Sequence, residues 1–228
     1  MANTLIDQIK ENFTDDCLSS LDDTQILAYL LSFAVRHKDL DVIAEKLLDR
    51  FGSISEVLEA PISELVSAGK ISENAAVLLT LIPDLCGQCM IDRACKQKIR
   101  GRKDIAAFAS HCYIGKTVED FLVICMNDKD VMKSYHFLMK GAVDWANVDI
   151  RKIVRLLNES TASALIVCHN HPRGNAIPSR ADLKVTKRIA NAVVPLGYRF
   201  VDHIIFGVDG YISMADYPDE YGCYFIPE

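Results

Sequence analysis

The chain has 228 residues, a length that corresponds to one large domain or two small ones. Half of the residues are hydrophobic, which is enough for a substantial core, and the formal net charge of −6 argues against a general polyanion-binding protein. No apolar run approaches the roughly 18 residues of a membrane span, and the amino terminus lacks the features of a secretory signal. We therefore expect a cytoplasmic protein. The eight cysteines are sparse and irregularly spaced, which indicates reduced thiols.

Residues 1–95 are predicted to form an all-α domain. Apolar residues recur at helical spacing at 26–31 and 42–48, and Gly52 follows as a typical helix end. Three serines each precede a short amphipathic stretch, as N-cap residues do: Ser53, Ser63 and Ser72. Residues 1–100 carry 10 basic and 16 acidic side chains, so the acidity of the chain lies in this half.

The second half is predicted to be an α/β (α+β) domain with a mixed β-sheet and flanking helices. Between Lys96 and Lys103 five basic residues accompany a glycine, a composition typical of an exposed linker. We therefore predict a helical domain at residues 1–95, a linker at 96–103 and a second domain at 104–228.

Three β-prone apolar runs in the second half predict buried strands, at residues 121–126, 164–168 and 200–206. Helices are predicted between them, at residues 150–157 and 180–194. Gly207 to Gly210 predicts a hairpin turn into a last short strand at residues 211–214.

Two histidines and an aspartate predict a metal site. His169 and His171 stand one residue apart at the end of a predicted buried strand and can turn towards one point. Asp182 opens a predicted helix, and a helix start beside a strand end can bring a carboxylate to the same point. Two imidazoles and one carboxylate leave the fourth tetrahedral position for water, as in catalytic zinc sites, so we expect one Zn²⁺ per chain.

Two further residues are candidates for the chemistry of such a site. A zinc-bound water needs a base on a neighbouring element, and Glu119 lies just before the strand that begins at Phe121. Ser179 is a candidate hydrogen-bond donor to the oxyanion that forms when hydroxide attacks a carbonyl.

These residues together resemble a known motif. Glu119, His169-x-His171, seven residues, Ser179, two residues and Asp182 look like the JAMM motif of the MPN (JAB1/MPN/Mov34) metalloproteases. More narrowly, three segments resemble the RadC family of bacteria: His169-Asn170-His171-Pro172, Pro178-Ser179 with Asp182, and Asp202-His203-Ile204-Ile205-Phe206-Gly207. The similarity covers about residues 104–216. The helical first half is also similar to the RadC amino-terminal region, whose later part resembles a helix-hairpin-helix.

The resemblance implies a JAB-type fold, zinc held by His169, His171 and Asp182, and Glu119 as the general acid/base. Family members are described both as DNA-repair proteins and as zinc-dependent peptidases. The chain departs from the family pattern at three places: Arg173 replaces a serine, Asp149-Ile150-Arg151 replaces His-Pro-Arg, and Gly69-Lys70-Ile71 keeps one of two glycines. We expect the first two departures to affect substrate choice.

Several residues also have ordinary structural interpretations. Ser-x-x-Asp before an apolar helix is a capping arrangement, and Asp182 cannot use one oxygen for both a backbone amide and zinc. Glu119 could be an exposed strand-edge acid. Arg173 and Arg180 are either part of a solvated face or a docking surface for an acidic substrate. Histidines without a partner at ligand spacing are interpreted as structural or surface residues: His37, His111, His136 and His203. Cys86-Gly-Gln-Cys89 is interpreted as incidental thiols.

Three functions remain open from the sequence. The first is a JAMM-type zinc peptidase or isopeptidase acting on a protein or peptide. The second is a DNA-associated repair or recombination accessory protein, which the acidity of the first half disfavours. The third is a protein-interaction module with a non-catalytic metal site. No membrane partner is expected, and the sequence leaves the oligomeric state open.

Overall fold

The computed structural model describes residues 20–36, 39–140, 148–221 and 225. Contacts divide the chain into two compact units, Met1–Cys86 and Gly87–Glu228. This division lies before the predicted boundary at residue 95. Residues 101–103 of the predicted linker begin a helix, and Ile99 is buried, so this basic segment belongs to the second unit.

The described part of the first unit is helical. Its helices are α1 (Asp23–Ser32), α2 (Leu40–Phe51), α3 (Ile54–Leu58), α4 (Ile62–Gly69) and α5 (Glu73–Ala94), the last of which continues into the second unit. Gly52 ends α2 with φ +99°, and Ser53 caps α3 by accepting a hydrogen bond from the Glu56 amide. Ser72 caps α5 in the same way. Ser63 was predicted wrongly, because α4 begins at Ile62 after Pro61 and contains it.

Helix α5 has the length and the apolar composition of a membrane span, which the count of continuous apolar residues did not predict. Only 22% of its most apolar window is buried. Ala76 and Leu79 pack in the core of the first unit, and Ile91 packs in the core of the second. Core helices of water-soluble proteins meet the same criteria, so this helix is weak evidence for a span, and the cytoplasmic location stays a prediction.

The second unit contains a five-stranded mixed sheet in the order β2-β1-β3-β4-β5. Its strands are β1 (Asp120–Met126), β2 (Met132–Lys140), β3 (Ala164–Asn170), β4 (Arg199–Gly207) and β5 (Gly210–Ser213). Among these described strands β3 and β4 pair in parallel, whereas β1 with β2, β1 with β3, and β4 with β5 are antiparallel. The predicted mixed sheet is confirmed, and strand β2 is an element that the sequence reading missed.

Helices cover both faces of this sheet. They are α6 (Gly101–Cys112), α7 (Ile150–Glu159) and α8 (Arg180–Val193); a short helix α9 (Pro218–Tyr221) follows β5. Ile105 and Phe108 of α6 pack on one face of the sheet. Ile153 of α7 and Ile189 of α8 pack on the other face, where Val167 of β3 belongs to the same core. The all-α region followed by a mixed sheet with flanking helices confirms the predicted α+β fold.

The face of the sheet under α8 carries the candidate site. Alternation along β3 places His169 on the same face as Leu165 and Val167, and both of these belong to the core under α7 and α8. The parallel crossover from β3 through α8 to β4 then brings the first turn of α8 to the end of β3.

Candidate metal centre

The end of strand β3 presents two imidazoles to one point. His169 is fully buried inside the strand, and His171, the first residue after it, is partly exposed. Their Nε2 atoms lie 3.0 Å apart. The His171 amide donates a hydrogen bond of 2.7 Å to the Phe206 carbonyl, which continues the β3–β4 pairing beyond the strand and fixes where His171 leaves the sheet.

Asp182 completes a cluster of three potential ligands. Its Oδ1 lies 3.2 Å from His169 Nε2, and its Oδ2 lies 3.7 Å from His171 Nε2. One ligand atom from each residue fits within 4.8 Å of the others. Ligands at the zinc bond lengths of 2.0–2.1 Å in a tetrahedron stand about 3.3 Å apart, so the cluster has the dimensions of a zinc site.

The two oxygens of Asp182 have different surroundings, which removes the conflict between capping and metal binding. Oδ2 accepts a hydrogen bond of 2.7 Å from the Ser179 amide, and the Asp182 amide donates to Ser179 Oγ, so the predicted capping box is present. Oδ1 is buried and has no hydrogen-bond donor among the described residues. A buried carboxylate oxygen without a donor is costly in a folded protein, and a cation at this point would satisfy it.

A backbone carbonyl determines which ring nitrogen of His171 carries a proton. The Asn175 carbonyl lies 2.9 Å from His171 Nδ1, and a carbonyl only accepts, so Nδ1 carries the hydrogen of this bond. In the neutral imidazole Nε2 is then unprotonated and directed at the cluster. The nearby Asp182 carboxylate raises the pKa of His171. Burial lowers the pKa of His169 although Asp182 opposes this.

The charge of the cluster is concentrated on Asp182. Burial by itself raises the pKa of this carboxyl, but the adjacent His169 and His171 lower it further, to well below its usual range. Asp182 is therefore ionised in the folded protein at neutral pH, which is the state that binds a cation.

Gly207 allows the loop after His171 to lie against strand β4. A Cβ at this position would come within 2.3 Å of the Ala176 amide nitrogen and 2.6 Å of the Gly174 carbonyl oxygen. The Val208 amide donates to that same Gly174 carbonyl at 3.0 Å. Because Gly207 has no side chain, the loop at residues 174–176 can lie close to β4. This loop carries the Asn175 carbonyl that orients His171.

Asn170, between the two histidines, orients the segment that carries Glu119. Its side-chain oxygen accepts a hydrogen bond of 2.8 Å from the Asp120 amide, and its side-chain nitrogen donates to the Val118 carbonyl at 3.1 Å. Glu119 lies between these two contacts. The antiparallel register pairs Phe121 with His169, and its continuation places Glu119 opposite His171.

Glu119 and Arg173 line an open cleft beside His171. The cleft has a volume of about 580 Å³ and is lined by Thr117, Val118, Glu119, His171, Pro172, Arg173 and Gly174. The negative charge of Glu119 adds to the effect of Asp182 in raising the pKa of His171. Arg180, the first residue of α8, is exposed and is not part of this lining in the described chain. Ser179 is also exposed, and its oxygen is used as the helix cap.

The sequence reading missed four residues that support the cluster: Asn170, Thr186, His203 and Gly207. His203 was interpreted as a structural or surface residue; it is buried, and its Nε2 lies 2.8 Å from His169 Nδ1, a contact that the sequence did not predict. Burial, reinforced by His169, holds the pKa of His203 well below its usual range. His111 and His136 lie outside the cluster, and His37 lies outside the described residues.

The fold and the cluster together define a class of protein: an α+β domain with a mixed sheet and a His-x-His and aspartate cluster where a strand end meets a helix start. A family model described as RadC-like JAB domain matches residues 99–220. The chain belongs to this family, and the predicted JAB-type fold is confirmed. The match begins inside the predicted linker and excludes the helical first unit.

Proposed function

We propose that the protein is a zinc-dependent hydrolase of the JAMM type that cleaves a peptide or isopeptide bond. One observation carries the proposal: the unprotonated Nε2 of His171 and the donor-free Oδ1 of Asp182 converge with His169 Nε2 at the edge of an open cleft. A structural zinc site has four protein ligands, whereas this cluster supplies three and adjoins solvent through His171, which favours a catalytic site.

The residues of the cluster fit Zn²⁺ because two imidazoles and one carboxylate are its usual catalytic ligands, and His169, His171 and Asp182 would hold it. When bound, Zn²⁺ lowers the pKa of its water to about 7 and polarises a substrate carbonyl. The chain supplies the remaining functions. The buried position of His169 and the cap of Asp182 keep two ligands fixed before metal binds.

Glu119 would move the proton during hydrolysis. As the water oxygen bonds to the substrate carbonyl carbon, the Glu119 carboxylate accepts the proton of that water. When the carbon–nitrogen bond breaks, Glu119 donates the same proton to the leaving amine, and the carboxylate is regenerated. The cleft beside His171 gives an extended peptide access to this carboxylate.

Two further residues have proposed roles in binding the substrate. Ser179 Oγ uses a lone pair for the Asp182 amide, so its own proton remains for an oxyanion. Arg173 lines the cleft and would bind an acidic group on a protein or peptide substrate, whereas Arg180, outside that lining, is the weaker candidate for the same role.

Metal content and hydrolysis test the proposal separately. Purified wild-type protein and the variants Glu119→Gln and His169→Ala are loaded with Zn²⁺, dialysed and assayed for bound zinc. They are then incubated with a quenched-fluorescent peptide library and with peptides that contain lysine isopeptide bonds. We expect one zinc in wild type and in Glu119→Gln, none in His169→Ala, and cleavage by wild type alone.

Each failure identifies a different error. Absence of zinc from the wild type overturns the metal centre. Zinc without cleavage of any amide favours a non-catalytic metal site in an interaction module. Cleavage that survives in Glu119→Gln removes Glu119 as the base.

A further inference from the structure

A buried chain of hydrogen bonds lies behind the metal cluster and ends on one of its ligands. His203 of β4 is fully buried and bridges two residues: its Nε2 lies 2.8 Å from His169 Nδ1, and its Nδ1 lies 2.6 Å from Thr186 Oγ1. Thr186 Oγ1 also lies 2.6 Å from the Asp182 carbonyl oxygen. This chain of hydrogen bonds therefore starts at the backbone carbonyl of Asp182 and ends on the ring of His169, and both residues are potential metal ligands.

The Asp182 carbonyl determines which atom donates in each bond of this hydrogen-bond chain. A carbonyl oxygen only accepts, so Thr186 donates its single hydroxyl proton to the Asp182 carbonyl. Thr186 Oγ1 then has only lone pairs for His203, and His203 Nδ1 must carry the hydrogen of that bond. A neutral imidazole has one N–H, so His203 Nε2 is an acceptor.

The neutral form of His203 follows from its surroundings. Its ring packs against that of Phe121 at an interplanar angle of 79°, with the centroids 6.0 Å apart. No carboxylate oxygen lies within hydrogen-bond distance of its ring among the described residues. A doubly protonated His203 would be a buried charge without a paired anion, which is strongly unfavourable.

We propose that His203 is a positioning residue for the metal centre: its Nε2 accepts the Nδ1–H of His169 and thereby leaves His169 Nε2 unprotonated towards the metal. The inference rests on the proposed metal site. It excludes the alternative in which His169 Nε2 carries a proton and donates it to His171 Nε2 across their 3.0 Å separation. With that proton excluded, both Nε2 atoms carry lone pairs, and a cation between them is the favourable partner.

Thr186 connects this orientation to the third ligand. It lies one turn after Asp182 on α8, and its hydroxyl contacts both the Asp182 carbonyl and His203. The position of the helix that supplies the carboxylate is thereby coupled to the tautomer of the histidine on the sheet. Partners of this kind behind a metal ligand typically change metal affinity 10–100-fold when they are lost.

Zinc affinity of matched variants tests the proposal. Full-length apo protein is titrated with Zn²⁺ against a competing chromophoric chelator. His203→Leu removes the acceptor, whereas His203→Gln can present an amide oxygen near the position of Nε2. We expect a 10–100-fold loss of affinity in His203→Leu and a loss of only a few-fold in His203→Gln. His136→Leu, which replaces a histidine outside the cluster, is expected to bind as wild type.

The tautomer itself is measured in the metal-free wild type, so that this arm needs neither zinc nor a stable variant. Long-range ¹H–¹⁵N correlation spectra of the histidine rings should give the Nδ1–H form for His169 and for His203. A Thr186→Val variant, which removes the acceptor for His203 Nδ1–H, should give mixed forms, whereas Thr186→Ser should resemble wild type.

The outcomes separate this inference from the metal site itself. An Nε2–H form of His169 in wild type, or wild-type zinc affinity in His203→Leu, overturns the positioning role. Equal losses of affinity in His203→Leu and His203→Gln would indicate a role in packing only. Wild type that binds no zinc but shows the Nδ1–H form of His169 overturns the metal centre and leaves the hydrogen-bond chain intact.

Discussion

The side chain of Asn170 holds the backbone on both sides of Glu119. It accepts from the Asp120 amide and donates to the Val118 carbonyl, and the residue itself is buried between the two histidines. The end of β3, which supplies two of the three proposed metal ligands, therefore also sets the position of the proposed base. This relationship requires a donor and an acceptor directed at two backbone groups, and the amide of Asn170 supplies them on separate atoms, Nδ2 and Oδ1.

Replacing Asn170 should separate metal binding from hydrolysis. Asn170→Leu removes both of these hydrogen bonds, and we expect a loss of about 1–3 kcal/mol in the free energy of unfolding. Zinc should still bind, because the three ligands keep their own contacts. Hydrolysis should fall about 100-fold through misplacement of Glu119. Urea unfolding, zinc content and amide cleavage give the three quantities.

The control is Asn158→Leu, which replaces an exposed asparagine near the end of α7. It should change neither zinc content nor cleavage. If Asn170→Leu cleaved at the wild-type rate, Glu119 would be held by other contacts or would not act in the reaction.

Gly207 should be required for zinc binding although it lies outside the cluster. Gly207→Ala forces the loop at residues 174–176 away from β4, because the new Cβ would contact backbone atoms at 2.3–2.6 Å. The loop carries the Asn175 carbonyl that orients His171, so zinc affinity should fall at least tenfold. Unfolding free energy should fall by about 1–3 kcal/mol from the steric strain.

Gly197→Ala is the matched control in the competition titration. Gly197 has φ +87°, so alanine is strained there, but no atom lies within 4 Å of the added Cβ. We expect a modest loss of stability with unchanged zinc affinity. Unchanged affinity in Gly207→Ala as well would show that the loop does not determine the orientation of His171.

Zinc should stabilise the wild-type protein and not an Asp182→Asn variant. Ligand at 100 times its Kd adds about 2.7 kcal/mol, which for a chain of this size corresponds to a rise in Tm of roughly 5–10 °C. Asp182→Asn keeps an oxygen that can accept from the Ser179 amide, so the helix cap survives, while the charge that binds the cation is lost. Differential scanning calorimetry with and without a chelator measures the shift.

Exposed thiols are a second class of zinc ligand in this chain, and they need a control. Cys86 and Cys89 are both exposed. The calorimetry is therefore repeated in a Cys86→Ser/Cys89→Ser background, in which the wild-type shift should persist. A shift that survives Asp182→Asn and disappears in the serine background would assign the bound zinc to the thiols.

The elements around the site follow from the sequence where burial produces a continuous apolar run. Strand β3, strand β4 and helix α8 were predicted within a few residues because Ala164–Cys168 and the heptad-like spacing of α8 leave few alternatives. Strand β2 was missed because it lies at the edge of the sheet and mixes Lys133, Ser134 and His136 with apolar residues. Helix α6 was missed because its basic first turn has the composition of a linker.

The supporting contacts of the site depend on register, which a single sequence does not reveal. Leu165 pairs with Phe200 but Ile166 pairs with Asp202, so an irregularity in β4 decides that His203 lies beside Val167 and behind His169. Without that shift the period of two would direct His203 to the opposite face. The proposed ligands were predictable because they are local in sequence; the contacts of His203 and Gly207 were not, because these two residues come from β4.

The described cysteines should fall into two classes of reactivity. Cys86, Cys89 and Cys95 are exposed, whereas three others are buried in the second unit: Cys112, Cys125 and Cys168. Burial raises the pKa of Cys112 to about 12, so its reactive thiolate is scarce at neutral pH. With Cys17 and Cys223, which lie outside the described residues, replaced by serine, a thiol reagent should label three groups quickly and three more only after unfolding. Fast labelling of all six would contradict the burial of these thiols.

The hairpin between α4 and α5 should not bind DNA strongly. A helix-hairpin-helix binds phosphate through backbone amides at glycines, but here the second glycine is replaced by Ile71, whose side chain is buried in the core of the first unit. Titration of the full chain with duplex and branched DNA at 50 and 200 mM salt should show weak binding. The affinity for DNA should not fall between these salt concentrations by the factor of about 10³–10⁵ that is typical of proteins with 6–10 phosphate contacts.

The variant Lys70→Glu tests whether the hairpin between α4 and α5 binds DNA. Lys70 lies in the hairpin turn with φ +50° and is exposed, so Lys70→Glu reverses the charge nearest the turn without touching the core. If wild type bound DNA tightly at low salt and Lys70→Glu abolished that binding, the hairpin would contact phosphate despite Ile71, and a DNA-associated role would be favoured over an interaction module. Equally weak DNA binding by both proteins would favour a protein partner for the helical unit. The excess of carboxylates in this unit repels the phosphate backbone of DNA.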